Sequence, residues 1–163
     1  MNNEKLKRTL IFLIKLTLLS LPLYAIIFFG VNFDFFQGFI VFHFVNFLNF
    51  IGIPSTQNGF SIILSSLAIV INKDCTGWKS LLFFIALIIA TDIHWKRKTI
   101  NIFLGSLAIF SINILRIFVM ILIGLAYPSI FSFLHDLLWQ FSMIFTVIIL
   151  WLMLWKFSKN LLE

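Results

Sequence analysis

"TGWKSLLFFIALIIATDIHWKRK", residues 76–98, decides how the chain is to be folded. An apolar run of helical length ends on three consecutive cations, Lys96, Arg97 and Lys98. A bilayer core of about 30 Å takes roughly 20 residues of helix to cross. Lys and Arg gather at the cytoplasmic ends of such spans. The stretch therefore reads as a transmembrane helix over about 76–95 with its basic end inside.

The whole composition agrees. The chain is 61% hydrophobic and 11% charged, with 22 Phe and 5 Trp, and its mean hydropathy is +1.09. Soluble domains run at about half apolar and about a quarter charged, so this is an integral membrane protein. The net charge of +6 does not mark a nucleic-acid binder, because the cations flank apolar runs. Lys5, Lys7, Arg8 and Lys15 lie at the start, Lys96–Lys98 in the middle, and Lys156 and Lys159 near the end. The single cysteine excludes an internal disulfide and a cysteine-built zinc or iron–sulfur site within one chain.

Three more spans read at about 10–30, 99–126 and 134–155. The first competes with a cleaved signal peptide. Its apolar run is long for that role and its small-residue cleavage pattern is weak, so it reads as an anchor, with Lys15 snorkelling. Residues 32–60 are aromatic but carry Asp34, Gln37, His43, Asn46 and Asn49. They read as an interfacial or re-entrant helix on the outer side, with a true span as the alternative. Asn58–Gly59 signals a turn. Residues 61–71 read as short strand-like runs broken at Ser65–Ser66, or as one short helix. The expected fold is all-α: a single polytopic domain over 1–163, a bundle of four or five transmembrane helices, with both termini cytoplasmic.

That order of spans places three reactive residues toward the outer face. Cys75 stands at the start of the second span, Arg116 in the outer half of the third, and His135 at the start of the fourth. A guanidinium within a span costs about 2.5–3.5 kcal/mol on insertion scales, so Arg116 needs a polar pocket, or a partner such as Asp74 or Asp136. Asn113 is three residues earlier on the same helix face. Gly77 permits a sharp turn, and Thr76 is placed to cap the following helix. That helix N-terminus, Lys73 and Lys79 each favour a thiolate at Cys75, while Asp74 opposes it. If those three together outweigh Asp74, a reagent that alkylates thiols but cannot cross membranes is expected to react with Cys75 in intact cells. His135 suits general acid–base work. His43 remains a second candidate base, whereas His94 lies on the inner side. No spaced ligand motif points to a metal, although His135, His43 and Asp34 include ligand types. No cofactor motif stands out.

"CTGWKS" at 75–80, "NILR" at 113–116 and "FLHD" at 133–136 resemble the archaeosortase and exosortase family of polytopic membrane cysteine transpeptidases. The resemblance covers about residues 55–150 and rests on a C-[ST]-G motif, an N-x-x-R motif and a histidine, in that order. It implies Cys75 as nucleophile, Arg116 as oxyanion or substrate ligand, and His135 as general base and acid. Asn113, Thr76, Gly77 and Lys79 would support them. It also implies a reaction, the cleavage of C-terminal sorting signals of secreted proteins at the outer face of the cytoplasmic membrane. Such a signal is a short motif, a transmembrane helix and a basic tail. The new carboxyl end would pass through a Cys thioester to an acceptor, with membrane lipid the leading choice. Many members have more spans than are counted here. Two other functions compete: a non-catalytic membrane assembly subunit, and a small anion transporter component built around Arg116. If Cys75, Arg116 and His135 do not converge, only these two survive.

Overall fold

Apolar residues with hydroxyls that bond locally make the first element. In α1 (Asn3–Phe28), Thr9, Thr17 and Ser20 donate to the carbonyls of Lys5, Leu13 and Leu16 at 3.0, 3.0 and 2.8 Å. Each hydroxyl is thereby satisfied inside its own helix, as a lipid-exposed segment requires. No residue of α1 is buried, so its apolar surface is left for lipid. The structure, a computed structural model, describes residues 3–65 and 67–160. The side chains of Ser132, residues 136–140, Lys159 and Asn160 lie outside that description. So do the Asp136 pairing and the break at Ser66 considered above.

The remaining helices are α2 (Asp34–Phe50), α3 (Trp78–Ala90), α4 (Trp95–Ala126) and α5 (Pro128–Asn160). Among the described residues, Asn3–Phe28, Trp95–Ala126 and Phe141–Ser158 are long and apolar enough to cross a membrane. The expected span over 76–95 is helical only for the 13 residues of α3. That is about 20 Å of helix, short of the roughly 30 Å of a bilayer core. The helix after it begins at Trp95 rather than at Thr99. Pro128 opens α5, where its missing N–H costs nothing. His135 therefore lies in the second turn of a helix and not at its start.

The all-α expectation also misses a sheet. β1 (Ser55–Asn58), β2 (Ser61–Leu64) and β3 (Ala68–Val70) form an antiparallel meander in the order β1-β2-β3. Asn58 pairs with Ser61 and Ser55 with Leu64 across the first hairpin; Ser61 pairs with Val70 across the second. Gly59 takes the positive φ, +57°, that the two-residue turn between β1 and β2 demands.

The chain divides into two compact units. One comprises residues up to Val31, Lys79–Phe110 and Ile144 onward. Within it Gly105 of α4 meets α3 closely: a Cβ there would lie 2.1 Å from the buried ring of Phe84. The basic cluster secures helix ends. Lys98 Nζ donates to Ile89 O at 2.6 Å, at the C-terminus of α3. Arg97 donates to the carbonyl of Ser158. Asn101 donates to Ser158 Oγ at 2.9 Å. The two cation contacts fill carbonyls that a helix terminus leaves without partners.

The other unit comprises Asn32–Trp78 and Ser111–Met143. Its core joins Ile40, Val41, Phe44 and Leu48 of α2 with Ile62, Leu64 and Ile71, and with Ile117 and Ile121 of α4. The polar residues of α2 that made residues 32–60 ambiguous hold the sheet. Gln37 Nε2 donates to Ile71 O at 2.9 Å. Asn49 Oδ1 accepts from Ser55 N at 2.8 Å, and its Nδ2 donates to Ser55 O at 3.0 Å. The opposite face of α2 exposes Phe35, Phe39, Phe42 and Phe50.

Candidate active site

Cys75 is held by its main chain. It lies on a single 3-10 turn, Lys73–Thr76, immediately after the sheet. Its N–H donates to the side chain of Asn72 at 3.0 Å. Its carbonyl accepts from Asn113 Nδ2 of α4 at 2.8 Å. Gly77 then reverses the chain at φ +77°, a left-handed conformation suited to glycine. A Cβ on Gly77 would sit 3.1 Å from Cγ of Asn113. Asn113 is 0% exposed, so it has little room to retreat.

These contacts carry a prediction. Gly77→Ala adds backbone strain of about 1–3 kcal/mol and pushes Asn113 off the cysteine carbonyl. The variant is expected to unfold at lower temperature than wild type in detergent. Cys75 should also be alkylated faster in it, because the turn that buries the thiol is loosened.

Cys75, Arg116 and His135 line one pocket, together with Ile69, Val70, Ile71, Ile117, Met120 and Phe131. All nine belong to the second unit. The C-terminal third of α4 supplies Arg116, and the first turns of α5 supply His135. Phe131, four residues before His135, stacks on the imidazole with ring centroids 5.9 Å apart. This i, i+4 spacing puts the two rings on one helix face. Arg116 is partly buried and acts electrostatically on the thiol.

Burial pushes the Cys75 thiol above its ordinary value. A backbone hydrogen bond at Asn72 and the Arg116 charge pull it down by less, and Asp74 pushes it up. This corrects the expectation of a thiolate favoured by Lys73, Lys79 and a helix N-terminus. Cys75 is 5% exposed, and desolvation disfavours its charged form. The resting site therefore holds a thiol that needs a base. Since the folded pKa is raised, the thiolate fraction at any neutral pH is smaller than in the unfolded chain. Alkylation of the folded protein by iodoacetamide should be slow at pH 7 and still rising beyond pH 9, and faster at each pH in denaturant. A plateau below pH 8 would contradict this assignment.

The other sequence candidates fall as follows. Asn113 supports the cysteine directly. Thr76 does not cap α3; its hydroxyl donates back to Lys73 O at 2.8 Å. Lys79 is exposed in the first turn of α3 and does not line the pocket. His43 is exposed, set against Phe39 and Phe42 on the face of α2 turned from the core, and does not line the pocket either. His94 accepts from Lys96 N at 3.4 Å at the start of α4. Sequence reasoning missed Asn72 and Phe131. Asn72 stands three residues before Cys75, the spacing at which an Asn side chain caps a turn. No group of three or more His, Cys, Asp or Glu among the described residues is placed to hold a metal ion.

Residues 3–155 match the family model of transmembrane exosortases. No curated protein and no solved structure matches the chain.

Proposed function

Because the chain belongs to the transmembrane exosortase family, we propose that it is a cysteine peptidase and transpeptidase for C-terminal sorting signals of secreted proteins. The family is one of membrane transpeptidases, and three helices of this chain are long and apolar enough to span a bilayer. The observation that carries the proposal is the meeting of Cys75, Arg116 and His135 in one pocket. Neither a non-catalytic subunit nor an anion carrier needs that trio together. On this reading the pocket faces the outside of the cytoplasmic membrane, and both termini lie in the cytoplasm, which requires the short α3 to complete a fourth crossing beside the three longer helices.

His135 takes the proton from Cys75 Sγ as sulfur attacks the scissile carbonyl carbon. The carbonyl π electrons move to oxygen, and Arg116 stabilises the oxyanion. Collapse breaks the C–N bond, and His135 returns the proton to the departing amine. The released piece carries the transmembrane helix and basic tail. A thioester remains on Cys75. The hydroxyl or amine of an acceptor, a membrane lipid in this proposal, gives its proton to His135 and attacks the thioester. The thiol is regenerated. The apolar walls of Ile69, Ile71, Ile117 and Met120 limit water, favouring the acceptor over hydrolysis.

The test is co-expression with a secreted protein of the same genome that ends in a helix and basic tail. Tail removal by wild type and its retention with Cys75→Ala supports the proposal. Equal removal by both eliminates the thiol as nucleophile.

A further inference from the structure

β3 is an edge strand. In the order β1-β2-β3 its only strand partner among the described residues is β2. Three consecutive residues after Ala68, namely Ile69, Val70 and Ile71, line the pocket that contains Cys75. A strand offers alternate residues to whatever covers one of its faces. Ile69 and Val70 belong to β3 and Ile71 follows it, so adjacent strand residues face one pocket, which therefore meets β3 along its edge.

The ladder register shows which backbone groups stand on that edge. Ile71 N donates to Phe60 O at 2.9 Å, and Leu64 N to Leu67 O at 2.8 Å. Antiparallel pairs alternate between hydrogen-bonded and non-hydrogen-bonded. Ile62 and Ile69, midway between those two pairs, are therefore bonded to each other. Ser61 opposite Val70 is a non-bonded pair, so the N–H and C=O of Val70 point away from β2. Val70 is 64% exposed. β3 is short, but Ala68, Ile69 and Val70 include neither the charge nor the proline that commonly blocks an edge. Five residues beyond Val70 the chain reaches Cys75.

We propose that the substrate docks as an extended strand on β3, pairing its backbone with the N–H and C=O of Val70 as its scissile carbonyl enters the Cys75 pocket. The occupant is the stretch of substrate polypeptide beside the cut, so the proposal rests on the peptidase reading above. Main-chain pairing supplies affinity with little demand on sequence. It also extends the peptide, which exposes the scissile carbonyl to a nucleophile held at the end of the strand. Recognition by side chains is then left to the pocket walls, Ile69, Met120 and Phe131.

Val70→Pro removes the outward N–H and leaves the β2 ladder intact, since proline is tolerated where an edge N–H faces out. In the co-expression assay it is expected to slow tail removal by about two- to tenfold, the cost of one lost main-chain hydrogen bond. Membrane level and iodoacetamide reactivity of Cys75 should match wild type. Val70→Thr, which keeps the N–H, should process faster than Val70→Pro. A second arm leaves the enzyme untouched: proline is placed in turn at each of the four positions before the cut in the substrate. Strand pairing predicts that every second position is sensitive. Wild-type rates with Val70→Pro, or sensitivity without alternation, overturn strand docking while the peptidase reading stands. If Val70→Pro misfolds, the substrate arm decides. Equal tail removal by wild type and Cys75→Ala overturns the peptidase reading itself, and strand docking falls with it.

Discussion

Replacing Cys75 with alanine is expected to abolish tail removal, a loss of at least about 10³-fold, as befits a nucleophile that works as a unit with its base. The chain holds no second cysteine to substitute for it. Cys75→Ser should lose nearly as much. A hydroxyl is far less acidic than a thiol, and the surroundings already disfavour an anion at this position. Processing is measured by the size of the substrate on a blot. Amounts of the variant in the membrane must equal those of wild type. Serine at wild-type speed would point to a base strong enough to activate an alcohol, and His135 would then need an acidic partner.

Arg116→Ala carries the second largest expected effect, about 10²–10³-fold in processing, the usual cost of removing an oxyanion ligand. A second readout separates this from damage to packing. The Arg116 charge lowers the thiol pKa, so its loss should slow alkylation of Cys75 at fixed pH, even without any substrate. Loosened packing would do the reverse by exposing the thiol. Arg116→Lys keeps the charge but not the planar fork of donors. It should restore the alkylation rate and only part of the processing. Unchanged processing in Arg116→Ala would leave the guanidinium a structural role alone.

The three pocket residues were legible in the sequence because each is costly in its setting. A cysteine among polar neighbours at a boundary, an arginine within an apolar run and a histidine at the start of an expected span invite explanation by topology alone. Asn113 was legible as a neighbour of Arg116 but not as the donor to Cys75 O, because that bond bridges 38 residues of sequence. The sheet was half legible. Asn58–Gly59 marked the turn, yet strands of three or four residues are too short for an alternating pattern to stand out from a helical one. Gln37 and Asn49 looked too polar for a membrane segment because their partners, Ile71 and Ser55, belong to that unseen sheet and its exit. The end of α3 depends on Lys98 reaching back to Ile89, a contact that hydropathy does not encode. The Thr76 hydroxyl could turn forward to α3 or back to Lys73, and the left-handed turn at Gly77 accompanies the backward direction.

The grip on Cys75 has a practical consequence. Asn72 and Asn113 both hold its backbone, and neither of these bonds involves sulfur. Both backbone bonds can thus survive replacement of the buried thiol by a smaller side chain such as alanine. An inactivated enzyme should keep the shape of the working one and can serve as bait. On the proposed function, the Cys75→Ala form, solubilised with its lipids and recovered by affinity tag, would retain the uncut client it can no longer release, and so identify the proteins that carry its signal.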